Sequence, residues 1–445
     1  MLTRSEDMLM VDFEAPFTLP CGAVLQNRFG KSAMTEGLAD PDNRASDALI
    51  NLYGEWSDGG CGLLISGNVF VDRRYLERPG NVAIDDNGGL DRLAELARAG
   101  RRGGNHFWMQ ISHAGRASPA LCCEQPVAPS PIPLELPAEH FHAPRAMEGP
   151  EILSVVDRYG IAALVAKDAG FTGVQIHSAH GNLLSEFLSP RTNKRTDEWG
   201  GSLENRARLL FLIFDRVREV VGPDFPISVK LNAADFQKGG FSHEESLTVA
   251  RWLAERGVDL LEVSGGNFEQ PVPVLGAKMP SSGGFVREST IKREAYFMQY
   301  AEDARRTVPC PLMITGGFRS RAGMAAALEQ NVLDIIGLGR PLCTDADAVG
   351  KLLRGEVDVF PDYENQLDPV TPDQLGPGAG PDDALAANFF GYLGWFCLNL
   401  QAIARGETPN TAMTMLEAAQ AYVAGEQATA ARWHSVWPDA VKEAV

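Results

Sequence analysis

The chain has 445 residues, of which 44% are hydrophobic and 22% are charged, and this composition is typical of a globular protein with a sizeable core. Its net charge of -18 and pI near 4.9 disfavour anionic partners, so we expect no nucleic-acid or membrane role. Seven cysteines without a Cys-x-x-Cys pattern exclude a zinc or iron-sulfur ligand set, and we expect no metal. The acidic residues in segment 1–7 are unlike a secretory signal, so we expect a cytoplasmic protein.

Eight short apolar runs recur along the chain, and each ends in a polar residue or glycine. Nearly continuous apolarity is typical of strands that are covered on both faces, as in a parallel sheet. The runs are Arg28–Met34, Leu63–Val69, Phe107–Ser112, Gly173–His177, Ile227–Asn232, Leu260–Ser264, Pro311–Thr315 and Ile335–Gly339.

Segments with helical periodicity lie between several of these runs. One begins at Ser202 and ends at Gly222, and another begins with a Ser242-x-x-Glu245 capping box. Alternating strands and helices predict an α/β fold, a (β/α)8 TIM barrel. A doubly wound open sheet is the alternative, but no Gly-x-Gly-x-x-Gly pattern follows the first run.

We expect three parts: a β/α barrel over residues 1–360, a proline-rich linker over 361–383 and a helical extension over 384–445. The extension should contain helices at 384–404 and 411–423. A proline-rich insert at 120–150 falls between the third and fourth strands, where it forms either a lid over the active site or a plain surface excursion.

His177 and His180 stand at the end of the fourth run, and catalytic residues of β/α barrels gather at this end of the strands. Two imidazoles three residues apart can donate hydrogen bonds to one oxygen of a ligand, which would polarise a carbonyl, nitro or phenolate group. The spacing alone also suits a structural pair or half of a metal site.

The turns after the last two strands predict a phosphate site. Gly316 and Gly317 follow the seventh strand, and Gly339 and Arg340 follow the eighth. Glycine turns expose backbone N–H groups, a helix start adds its positive end, and an arginine grips phosphate oxygens. This pattern indicates a phosphorylated ligand without identifying it.

The residues after the histidine pair, from Asn182 through Ser189-Pro190-Arg191-Thr192-Asn193 to Trp199-Gly200-Gly201 and Arg206, closely resemble the old yellow enzyme family. The resemblance runs from about Phe17 to about Asp345. It implies FMN as cofactor, NADH or NADPH as hydride donor, and ping-pong transfer to a small-molecule electron acceptor bound by the two histidines. Residues 195–206 of the motif are expected to hold the loop through hydrogen bonds and an ion pair.

The resemblance also assigns flavin contacts at the strand ends. Gln110 would face the pyrimidine edge of the ring, although it could equally be a rim amide that bonds water or backbone. Lys230 stands where the family more often has arginine, and its partner is either the reduced flavin or a neighbouring carboxylate. The first two strands would contribute Ser32, Ala33, Met34, Thr35 and Gly67.

One position departs from the family pattern. Asn182 replaces the tyrosine that protonates the substrate carbon, and an amide cannot serve as that acid. Water or another group, such as Tyr75, would then supply the proton, or the acceptors are quinones, nitro compounds and nitrate esters, for which fast carbon protonation matters less. Gly37 stands where some relatives have a tyrosine, which predicts a roomier pocket.

Three other functions stay open at this point: a flavin barrel that oxidises its substrate, a phosphate-binding lyase or isomerase without flavin, and a non-catalytic flavin-binding protein. The sequence also leaves open a homo-oligomer.

Overall fold

The computed structural model describes residues 12–136, 139–266 and 300–437. Eight parallel strands pair in order, and the eighth also pairs with the first, so the sheet closes into a barrel. This confirms the predicted TIM barrel. The strands are β1 (Phe29–Lys31), β2 (Leu63–Phe70), β3 (His106–Ser112), β4 (Gly173–Ser178), β5 (Ile227–Asn232), β6 (Leu260–Ser264), β7 (Leu312–Thr315) and β8 (Ile335–Leu338).

The main helices of the barrel wall follow the strands. They are Asp47–Asp58, Leu90–Ala99, Gly149–Ala169, Leu203–Val221, His243–Glu255, Arg321–Glu329 and Ala348–Leu353, with short helices at Leu183–Leu188 and Pro341–Thr344. Both predicted helix starts are confirmed, because the Ser202 side chain accepts from Asn205 N and Ser242 forms a capping box with Glu245. Such caps satisfy N–H groups that a helix start leaves unpaired.

The interior of the barrel is divided into two halves. The half nearest the strand starts is apolar, with buried Leu63, Trp108 and Met313, and a short hairpin (Phe17–Thr18 with Val24–Leu25) lies against it. The half nearest the strand ends carries polar side chains. Because the active sites of β/α barrels lie at the strand ends, we expect a ligand to bind at this polar half.

The first strand is shorter than predicted. It ends at Lys31 instead of Met34, although Ser32 N still donates to Leu338 O at 2.9 Å. Beyond that bond the chain leaves the sheet, and the Ser32 side chain donates to Glu262. Residues 33–35 therefore form a loop at the mouth of the barrel.

The insert at 120–150 contains a small parallel pairing of Val127–Ala128 with Arg145–Ala146. Residues 137–138 of the insert lie outside the described residues. The His140 ring meets the Phe390 ring edge-on, with centroids 5.4 Å apart. The insert thus contacts the carboxyl-terminal extension, and its role as a lid stays a prediction.

Two long helices, Pro381–Ala404 and Met415–Val436, form what we call the tail hairpin. The first starts three residues earlier than predicted, with proline in its first turn. The second starts at Met415 and not at 411, because a Thr414–Glu417 capping box fixes its beginning. It ends at Val436 and not at 423. Short turns at Tyr363–Asn365 and Pro372–Leu375 precede the hairpin. The proposed division at 360 and 383 stays a prediction, and residues 1–11 and 438–445 lie outside the described residues.

The hairpin packs against the barrel. Trp395 and Trp433 are fully buried, and the Trp433 Nε1–H donates to Asn43 Oδ1 at 2.8 Å. Within the described ranges, no helix has the length and apolarity needed to cross a membrane.

Candidate active site

A buried polar network fills the upper interior of the barrel. Lys230 Nζ lies 2.8 Å from Glu262 Oε1 and donates to Ser32 Oγ at 2.9 Å. Gln175 Nε2 donates to the other carboxylate oxygen of Glu262 at 2.8 Å, and Gln110 Nε2 donates to Gln175 Oε1 at 2.7 Å. The network joins β3, β4, β5 and β6 with the chain that follows β1.

Glu262 is the centre of this network, and it is not among the residues predicted from the sequence. Its carboxylate also accepts from Ser32 Oγ at 2.5 Å and from Thr315 Oγ1 at 2.7 Å. Burial alone would raise the pKa of the Glu262 carboxyl, but the Lys230 charge and these hydrogen bonds hold the pKa below its usual value. The available signal for Glu262 in the sequence was a charged residue inside an apolar strand. Of the two partners considered for Lys230, the structure shows the carboxylate, and it is that of Glu262.

The two histidines lie side by side, with ring centroids 5.3 Å apart. Asn182 Nδ2 lies 3.1 Å from His177 Nε2. Because the amide nitrogen is a donor, Nε2 accepts and the His177 proton resides on Nδ1. Nδ1 is buried and has no partner among the residues that the structure describes. An N–H group without a partner is costly in a protein interior and suits a ligand oxygen.

His180 is held from two sides. Its backbone N donates to Asn232 Oδ1 at 3.2 Å, and its Nε2 lies 2.6 Å from Ser264 Oγ. The residue has φ 61°, in the left-handed region that costs a non-glycine residue on the order of 1–3 kcal/mol. Contacts with the ends of β5 and β6 thus keep the ring at the mouth of the barrel.

Both imidazoles are neutral near neutral pH. Burial lowers the pKa of His177 well below its usual value and the pKa of His180 to about 3, with a further contribution from the Lys230 charge. Neutral rings can donate one hydrogen bond each without carrying a charge into the cavity.

The lowered pKa of His180 predicts an acid-sensitive fold. The unfolded chain binds a proton near pH 6.5 and the folded chain only near pH 3, so stability is complete above pH 6.5 and is lost as the pH falls. Between pH 7 and pH 5 we expect His180 to contribute about 2 kcal/mol to this loss. Urea denaturation should show a smaller pH dependence for His180→Asn, and equal slopes for both proteins would contradict the expectation.

The predicted phosphate turns lie together, because β7 and β8 are adjacent. Gly316 and Gly317 have φ 139° and 79°, conformations that favour glycine. Arg340 Nη1 bonds Tyr392 OH at 3.0 Å and Glu364 Oε1 at 2.9 Å. A second guanidinium, that of Arg319, also pairs with Glu364.

The loop after β1 packs closely on the end of β2. Gly67 N donates to Glu36 Oε1 at 2.9 Å and to Tyr53 OH at 2.8 Å. A side chain at position 67 would collide with the Glu36 carboxylate and the Met34 carbonyl. Ala33, Met34 and Thr35 stay partly exposed within this buried surrounding.

One expectation about the pocket is wrong, and a second finds no support. The space above Gly37 is filled by the Arg78 guanidinium, whose Nη2 would lie 2.5 Å from a Cβ at position 37, so this glycine does not enlarge the pocket. Tyr75 stacks on His113 with ring centroids 4.9 Å apart, and this contact places it against the chain after β3. The structure therefore gives no support for Tyr75 as proton donor.

The motif after the histidines has the predicted structural role. Arg195 and Asp197 form an ion pair with a nitrogen-to-oxygen distance of 2.6 Å. Asn193 Nδ2 donates to the carbonyls of Phe187 and Trp199, both at 2.8 Å. These bonds hold the loop between the short helix at 183–188 and the helix at 203–221.

Comparison with known proteins identifies the family. The family model described as NADH:flavin oxidoreductase / NADH oxidase matches residues 13–358. An NADH-dependent flavin oxidoreductase, iliE, of Hypocrea jecorina is 35% identical over 347 residues, which cover 73% of this chain and 85% of that protein. An NADH oxidase of Thermoanaerobacter brockii is 35% identical over 338 residues, which cover 75% of this chain and 49% of that protein. A morphinone reductase structure in complex with tetrahydroNAD aligns with a TM-score of 0.64 at 26% identity, over 79% of this chain and 93% of that chain.

The side chains at the mouth fit the cofactor of this family. Two guanidiniums and the glycine turns lie at one end, and an amide and an ammonium lie at the barrel centre. Phosphate and a flavin pyrimidine edge need these donor types. The chain belongs to the NADH:flavin oxidoreductase family and is an FMN-dependent NAD(P)H oxidoreductase of the old yellow enzyme type.

Proposed function

We propose that this enzyme reduces electron-poor acceptors, namely enones, quinones and nitro compounds, by a ping-pong reaction. Bound FMN supplies the hydride chemistry, taking hydride from NADH or NADPH and passing it to the acceptor. The observation that carries the proposal is the buried ring nitrogen Nδ1 of His177, which has no partner among the described residues and belongs to a ring that lies beside a second imidazole.

We assign the cofactor site to the strand ends. Gln110 and Lys230 would hold the pyrimidine edge, and Gly316, Gly317, Gly339 and Arg340 the phosphate, while Ser32, Ala33, Met34, Thr35 and Gly67 line the ring. Lys230 uses two of its three N–H groups on Ser32 and Glu262, which leaves one for a ligand. Since Glu262 offsets its charge, Lys230 should stabilise a negative ring less than an unpaired cation would.

His177 and His180 would bind the acceptor oxygen. Their hydrogen bonds stabilise the negative charge that develops on this oxygen as hydride arrives, and burial strengthens them because water is excluded. Lys230 lies in register with His177 on the neighbouring strand, and its ammonium adds positive potential below the pair that the Glu262 carboxylate reduces.

We propose that Asn182 leaves the enzyme without a fast proton donor to carbon. Its amide contacts His177, and its Oδ1 is buried without a partner among the described residues. Acceptors such as quinones and nitro compounds need no proton at carbon in the hydride step, so they should outperform enones.

Replacing Asn182 by tyrosine should raise turnover of enones, because a phenol can donate the missing proton. Proton delivery of this kind is worth on the order of 10²-fold where it limits the rate. The measurement is single-turnover reoxidation of the reduced protein by cyclohexenone and by a quinone. Asn182→Leu is the control that removes the amide without adding an acid. A gain with leucine, or no gain with tyrosine, would contradict the proton-donor argument.

The decisive experiment for the function is anaerobic titration of the yellow holoprotein. NADH or NADPH should bleach the flavin, and a panel of enones, nitro compounds and quinones should restore its colour. A holoprotein that neither nicotinamide reduces would overturn the proposal. We further propose that the protein is cytoplasmic and has no nucleic-acid or membrane partner. Whether it is a monomer or a homo-oligomer can be measured by gel filtration.

A further inference from the structure

The tail hairpin lies outside residues 13–358, which the family model covers, yet it reaches the mouth of the barrel. It contacts the loop after β1, the loop after β2 and the turn after β8. The loop after β1 and the turn after β8 carry residues assigned above to the flavin ring and the phosphate.

The hairpin holds two consecutive carbonyls of the loop after β1. Gln401 Nε2 donates directly to Glu36 O at 3.1 Å. Thr35 O accepts from Arg78 Nη1, in the loop after β2, at 3.2 Å and from Cys397 Sγ of the first tail helix at 3.8 Å. Neither carbonyl is fixed by the barrel sheet, since β1 ends at Lys31.

Arg78 itself is fixed by the second tail helix. Its Nε and Nη2 donate to the two oxygens of Glu426 at 3.1 and 2.5 Å, a bidentate geometry that permits one orientation of the guanidinium. The side chains of Arg78 and Glu426 are 4% and 14% exposed, and Gly37 and the Tyr422 ring confine the guanidinium from two further directions.

The first tail helix also reaches the phosphate end. Tyr392 OH accepts from Arg340 Nη1 at 3.0 Å. The tail hairpin therefore contacts both the backbone of the loop after β1 and Arg340, the arginine assigned to the phosphate.

We propose that the tail hairpin is a positioning element of the cofactor site: Glu426 fixes Arg78, and Arg78 and Gln401 hold the loop after β1 in its binding conformation. The inference rests on the proposed function, because it takes this loop to contact the flavin. A loop ordered during folding need not be ordered again when the ligand binds, so the hairpin raises FMN affinity.

The test is fluorescence titration of the full-length apoprotein with FMN. Glu426→Gln should raise the Kd for FMN about tenfold or more, because Arg78 loses its charged partner and releases Thr35 O. Glu407→Gln is the matched control, since Glu407 is an exposed tail carboxylate paired only with Arg405 among the described residues. Its Kd should stay within about twofold of the wild-type value.

The double variant Arg78→Met/Glu426→Met separates positioning from stability. Removing both buried charges together avoids an unpaired charge and should restore the thermal midpoint, but it cannot restore the bond to Thr35 O. We expect recovered stability with FMN affinity still weakened about tenfold. Recovery of both, or wild-type affinity in Glu426→Gln, would overturn the inference.

Gln401→Leu keeps the test valid if the charge variants do not fold, because it removes one neutral hydrogen bond from a half-buried position. It should raise the Kd about threefold or more, and an unchanged Kd would overturn the inference. If wild-type apoprotein bound no FMN, the proposed function would fall, and the inference with it.

Discussion

Replacing Glu262 by glutamine is expected to lower the free energy of unfolding by about 3–5 kcal/mol at pH 7. The substitution keeps the shape of the side chain but leaves the Lys230 ammonium, 4% exposed, without its counter-charge. It also replaces one acceptor oxygen with a donor among Ser32, Thr315 and Gln175, which all donate to this carboxylate. Urea denaturation of the apoprotein measures the loss.

Two comparisons test the cause. Glu255→Gln changes the same charge at an exposed helix end and should leave stability within about 0.5 kcal/mol. Lys230→Met/Glu262→Gln removes both charges but keeps one acceptor oxygen at position 262, and it should recover much of the loss because no unpaired charge stays buried. A double variant as unstable as Glu262→Gln would show that the charge pairing is not the cause.

The pH dependence has a definite sign. The pKa of Glu262 is lowered in the folded protein, so its contribution is present above the pKa of the unfolded chain, about 4.3, and is lost as the pH falls through the folded value. The stability difference between wild type and Glu262→Gln should therefore shrink below pH 4.

The barrel could be predicted from the sequence because its signals are local. Each strand is a short apolar run, and each helix has a periodic face with a cap, as at Ser202 and Ser242. The helix start at Thr414 carried the same capping signal and was missed because the apolar pattern of the tail is weak. The predicted first strand is too long, because the apolar run continues after Lys31, where the strand ends.

The partners in the site could not be predicted, because they depend on contacts between distant parts of the chain. Arg78 meets Glu426 from 348 positions away, and Ser32 meets Glu262 from 230 positions away. A roomier pocket was expected at Gly37 because no neighbouring residue in the sequence indicates that the Arg78 side chain occupies this space. Buried charges were visible in the strands, but their pairing required the strand register.

Removing either histidine should cost on the order of 10²-fold or more in reoxidation of the reduced protein by a nitro compound or quinone. His177→Leu deletes the N–H that has no partner among the described residues, and His180→Leu deletes the ring held by Ser264. Both rings are neutral, so the rate should be nearly constant from pH 6 to pH 8 in the wild type. Stopped-flow reoxidation over this pH range measures both effects.

His106→Gln is the matched control, because His106 begins β3 at the opposite end of the barrel and bonds Thr172. Its reoxidation rate should stay within about twofold of wild type, since no hydrogen bond to the acceptor is lost. If His177→Leu and His180→Leu also kept the wild-type rate while binding FMN, the acceptor oxygen would have to lie elsewhere in the mouth. A rate that fell steeply between pH 6 and pH 8 would instead mean that a protonated imidazole carries the reaction. The bound acceptor would then have to raise the histidine pKa that burial lowers.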